Sequence, residues 1–75
     1  MNTVSQEYLN GIKEGRAFLK AWPFMNNGEQ MTIQDMEGVR DTARRCLAQG
    51  FSREMADGFR GERDFWSGQI KKVSR

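Results

Sequence analysis

Residues Gly58–Trp66 read GFRGERDFW, and residues Gly11–Leu19 read GIKEGRAFL. At an offset of 47 the two stretches share one pattern: glycine, apolar, basic, two variable positions, arginine, one variable position, phenylalanine, apolar. On a helical wheel of about 100° per residue, Gly11 and Gly58 fall at the edge of each apolar stripe, with Gly15 and Glu62 near its middle. A glycine inside a helix costs about 1 kcal/mol relative to alanine, so glycine on a buried face needs a packing reason. The pattern predicts that the first and third helices cross with their backbones close, at Gly11, Gly15 and Gly58. Phe18, Leu19, Phe65 and Trp66 would then fill the other end of the contact.

The apolar spacing around these stretches yields three helices. Thr3 followed by Gln6 fits a capping box, and Tyr8, Ile12, Gly15, Leu19 and Trp22 then share one face. Pro23 should stop this helix, because the residue before proline is pushed out of the α region. The first helix is expected over residues 4–21. A long loop follows, PFMNNGEQM, with Asn27-Gly28 as its turn. Thr32 caps a second helix over 33–48, and Asp35 and Glu37 suit its positive N-terminal end. Its apolar stripe is Ile33, Met36, Val39, Ala43, Cys46 and Leu47, and Gly50 ends it. Ser52 caps a third helix over 53–73, with Met55, Phe59, Phe65, Trp66, Ile70 and Val73 on its apolar face. No run alternates long enough to read as a strand. The fold class is all-α: a compact three-helix domain spanning residues 1–75.

Two charges sit where apolar residues belong. Glu62 lies within the third stripe and Arg40 about 40° from the centre of the second. A carboxylate in such a place must be paired, exposed through a gap, or used on a partner. The expectation is a structural ion pair between Arg40 and Glu62. Arg16 and Arg63 lie at stripe boundaries, where a long stem covers apolar surface and keeps its head in water.

The composition narrows the chemistry. The 75 residues contain no histidine and one cysteine, Cys46, with a formal net charge of +2. Histidine-based acid–base catalysis, nucleophiles activated by histidine and nearly every zinc site are thereby removed, and no intramolecular disulfide can form. The acids Glu7, Glu14, Asp57, Glu62 and Asp64 are scattered, and Asp41 with Arg44 and Arg45, or Arg60 with Asp57 and Asp64, read as solvated helix pairs. No glycine loop follows a strand to hold a phosphate. The chain is expected not to be an enzyme and to carry neither metal nor cofactor. There is no apolar run of transmembrane length and no signal-peptide pattern at the N-terminus. The expected location is the cytoplasm of a host cell, away from membranes, with Cys46 reduced.

Binding remains. The segment CLAQGFSREMADGF has the outline of a helix-turn-helix, which would make the third helix a recognition helix. Its Arg53, Arg60 and Arg63 are offset by Glu54, Asp57 and Asp64, which repel phosphate, so nucleic acid is the weaker partner. The segment WPFMNNGEQM gathers Trp22, Phe24, Met25 and Met31 around a turn, and five methionines suit an adaptable apolar surface. Either Trp22 and Phe24 fold back to cap a small core, or Trp22, Phe24 and Met25 anchor an interface with Arg44 and Arg45 on its polar rim. A homo-oligomer would add the burial that a chain this short struggles to find alone.

In its size, lack of histidine, helical layout and phrases such as EYLNGIKEGRAFL and GFRGERDFW, the chain resembles the small helical accessory proteins of the early regions of lambdoid phages and prophages. That resemblance implies a protein acting without catalysis, by binding a host or phage protein to modulate replication, regulation or defence. It assigns no functional residue.

Overall fold

A computed structural model describes residues 4–74, which form α1 (Gln6–Met25), α2 (Ile33–Ala48) and α3 (Arg53–Val73) in chain order, with no strand among the described residues. Both ends of α2 and the start of α3 fall where the capping residues placed them, and α3 ends at Val73 as its apolar face implied. At α2, the Thr32 hydroxyl accepts from the Asp35 N–H at 3.1 Å while the Asp35 carboxylate accepts from the Thr32 N–H at 3.0 Å. Two orphan donors of the helix start are thus satisfied reciprocally. Gly50 ends the helix with φ +75°, a conformation in which a side chain would be strained. The Ser52 hydroxyl accepts from the Met55 N–H at 3.4 Å to begin α3.

The first helix differs from expectation at both ends. Its N-cap is Ser5, whose hydroxyl accepts from the Tyr8 N–H at 3.1 Å; the Thr3 cap lies outside the described residues, and the Gln6 amide instead donates to Asn10 at 3.0 Å. At the other end, the helix runs through Pro23 to Met25. Proline costs the helix its own N–H bond and crowds the Leu19 carbonyl four residues back, although its fixed φ is close to helical; the residues that follow it supply bonds of their own. The Asn26 side-chain amide donates to the Trp22 carbonyl at 2.9 Å, and the Asn26 and Gly28 N–H groups donate to the Pro23 carbonyl at 3.3 and 2.7 Å. These bonds close the helix two residues beyond the proline. The extension shortens the connection to residues 26–32, an ordinary length for two helices, and Met31 at its end is buried in the core.

The third helix is the centre of the structure. Glu7, Tyr8, Gly11 and Gly15 of α1 approach Gly58, Gly61, Glu62 and Phe65 of α3, and Phe18 reaches Trp66. These contacts advance together along both helices, so α1 and α3 run parallel. Residues 49–52 turn the chain back on itself, and Met36 near the start of α2 packs with Trp66 late in α3. The second and third helices are therefore antiparallel. No Cα of α1 lies within 8 Å of a Cα of α2: the two flank α3 and meet only through side chains. That meeting is the core, where Trp66 is fully buried with Met31 and Met36, and Leu19, Trp22, Val39, Phe65 and Ile70 close around them. The Trp66 ring takes the edges of Phe18 and Phe65 at 6.1 and 5.0 Å between centroids. Its indole N–H has no hydrogen-bond partner among the described residues.

Candidate binding surface

The predicted crossing glycines do come together. A Cβ on Gly11 would strike the carbonyl oxygen of Gly58, and one on Gly15 would lie 2.7 Å from the Phe65 ring. Gly58 contributes its carbonyl, not its missing side chain: a Cβ there would meet only the Glu7 carbonyl at 3.8 Å, an ordinary contact. The third glycine the crossing requires is Gly61, whose Cβ would strike the carbonyl of Tyr8. Sequence reasoning passed over Gly61 because the 47-residue offset aligns it with Glu14. Its spacing from Gly58, three residues on along the same helix flank, was the available signal.

The Arg40–Glu62 pair does not form. Arg40 donates to Asp41 at 3.2 Å, while Glu62 sits on the α1 flank of α3, its backbone N–H beside Gly11. With α3 between α1 and α2, an α2 arginine and this carboxylate face different neighbours. Partial burial pushes the Glu62 carboxyl above its ordinary range, and Glu14 across the helix contact raises it further. On the other flank, the Tyr8 hydroxyl donates to Asp64 at 2.6 Å and the Arg63 guanidinium donates to the same carboxylate at 3.0 Å. Burial raises the Asp64 carboxyl, but these two hydrogen bonds outweigh it and hold it below the ordinary range. The bond to Asp64, with burial, pushes the Tyr8 phenol up.

The aromatic segment divides between the two alternatives it left open. Trp22 turns inward, half-buried against the core with its ring edge-on to Phe18 at 5.7 Å. Phe24 turns outward and is 90% exposed, and Met25 beside it is 59% exposed. A helix end is thus pinned from beneath by one aromatic and presents two large apolar side chains to solvent. Arg44 and Arg45 are not the rim of this knob. They bond to Asp41 and Thr42, eleven and twelve residues beyond Ile33, which at about 1.5 Å per residue puts them more than ~16 Å toward the far end of α2.

Two concavities lie at the far end from the knob. An open cleft of about 790 Å³ is lined by Val4, Tyr8, Phe51, Arg53, Ala56 and Arg60 among others, and a shallower one of about 260 Å³ by Asn10, Gly11, Glu14, Met55 and Gly58. Glu7 and Glu54 border both. No group of three or more cysteine and acidic side chains is placed to hold a metal among the described residues, and Cys46 is a half-buried free thiol. Among the described residues, no helix is long and apolar enough to cross a membrane. Comparison with family models, with curated proteins and with solved structures finds no match.

Proposed function

We propose that this chain is a non-enzymatic binding protein that grips a host or phage protein through the Phe24–Met25 knob. The observation that carries the reading is the contrast within one helical turn: Trp22 half-buried against the core, Phe24 90% exposed. Burying a side chain the size of phenylalanine is worth about 1.5–3 kcal/mol, so leaving it in water has a use when a partner takes it up. Exposed aromatics and methionines held on a rigid element are the usual anchors of interfaces. The resemblance to early-region phage proteins supplies the setting: an accessory protein of phage or prophage, working in the host cytoplasm on replication, regulation or defence.

Duplex DNA ranks second. The tight turn from α2 to α3 fits the helix-turn-helix outline, but a recognition helix must offer its cations outward. In α3, Arg60 is bound to Asp57 at 2.7 Å and Arg63 to Asp64 at 3.0 Å, and the helix has both other helices packed on it.

The test is capture from host lysate with the wild-type chain and with Phe24→Ser/Met25→Ser, beside a mobility shift on duplex DNA. The expected result is one stoichiometric protein complex that the double substitution abolishes while the thermal midpoint stays put. A complex indifferent to the substitution moves the site elsewhere. No complex, with a salt-sensitive shift on DNA, overturns the reading.

A further inference from the structure

We propose that the end of the molecule opposite the knob, centred on Val4, Phe51 and Met55, is where a second copy of this chain docks about a two-fold axis. The inference does not rest on the function proposed above, since it uses the other end of the helices.

Exposed apolar surface is the first argument. α1 and α2 flank α3 with no backbone contact between them, and a small core leaves large apolar side chains outside it. Val4, Phe51 and Met55 are three of these, all exposed. They border the two clefts, and Phe51 is held in place by Phe59 at 5.7 Å between ring centroids.

The charges then select a copy over a partner of one sign. Arg53, Glu7 and Glu54 border these clefts, and none of them forms an ion pair among the described residues. A one-signed surface would leave one set unmatched. In an isologous interface, residue i meets residue j twice over, so Arg53 of each protomer meets Glu7 or Glu54 of the other. The concave end supplies the recess, and Phe51 with Met55 supplies the apolar centre.

Light scattering on the full chain across concentration tests this, with circular dichroism to confirm the fold. The wild type is expected at the mass of two chains, falling to one on dilution. Met55→Glu and Arg53→Glu, both at exposed positions, should each weaken the dimer by at least about tenfold without lowering the thermal midpoint. Arg53→Glu mixed with Glu7→Arg/Glu54→Arg should restore the two-chain mass that either lacks alone. A wild type that stays at one mass up to its solubility limit overturns the proposal. So does a dimer that both charge variants leave intact, or one that only Phe24→Ser disperses; in that last case the knob is the self-contact, and the host-partner reading falls instead of surviving alone.

Discussion

The contact between α1 and α3 is built in two ways along its length. In its first half, backbone lies on backbone: Gly11 against Gly58, Gly61 against Tyr8. In its second half, aromatic rings hold the same two helices apart, with Phe18, Phe65 and Trp66 stacked edge to face. At Gly11 and Gly61 the first half has no room for an added Cβ, while the second half is filled by rings whose removal would leave a cavity. Close packing penalises both errors, through overlap in one place and through a cavity in the other. The difference also explains where polar groups go. Where the helices touch closely, no side chain can lie between them, so Glu62 is displaced to the flank beside Glu14 and Tyr8 reaches around the other flank to Asp64.

Substitutions break this comparison in order of size. Trp66→Ala should cost about 3–5 kcal/mol, enough to unfold much of a chain whose whole stability is only ~5–15 kcal/mol; urea denaturation followed by circular dichroism measures it. Trp66→Phe should cost clearly less, because it also removes an indole N–H that has no partner. If the two variants are equally damaging, the aromatic half is not where the stability resides.

At the crossing, Gly11→Ala and Gly61→Ala should each cost about 1–3 kcal/mol or more by overpacking, while Gly58→Ala should be close to neutral or better. Gly38 and Gly68 meet nothing within 4 Å of a new Cβ, and alanine there should stabilise by up to about 1 kcal/mol. Thermal midpoints of the five alanine variants sort them. A costly Gly58→Ala would show that the helices sit closer than described.

The flanks carry the smallest effects. Tyr8→Phe removes the 2.6 Å bond to Asp64 and should cost about 1 kcal/mol. Asp64 is depressed in the folded state, so its contribution is present above the ordinary carboxylate range and is lost as pH falls through the folded value. The Tyr8→Phe penalty should therefore shrink in acid. Glu62 has the opposite sign. Its folded-state carboxyl is raised, so its ionisation opposes folding once pH climbs above the ordinary range. Glu62→Gln should stabilise slightly at neutral pH, with the gain vanishing in acid. Thermal midpoints across that pH range read both, and parallel curves for the two variants would contradict the assignment.

Helix boundaries were legible where a local bond made them. Thr32, Gly50 and Ser52 act on groups within a few residues, so both ends of α2 and the start of α3 were placed. Pro23 misled because its local penalty was outweighed by the Asn26 amide bond to the Trp22 carbonyl and by the packing of half-buried Trp22 on the core. The crossing was readable as a glycine phrase, but assigning its members required knowing the register, which put Gly61 in the tight position and spared Gly58.

By itself, then, the sequence determined the three helices, the caps of α2 and the start of α3, and the presence of a close glycine contact, since each depends on residues within one or two turns. The order in which helices pack, with α3 between the other two, was decided only by tertiary structure. That order separated Arg40 from Glu62 and sent Trp22 inward and Phe24 outward. Periodicity reports which side of a helix is apolar; it carries no record of which neighbour that side will meet.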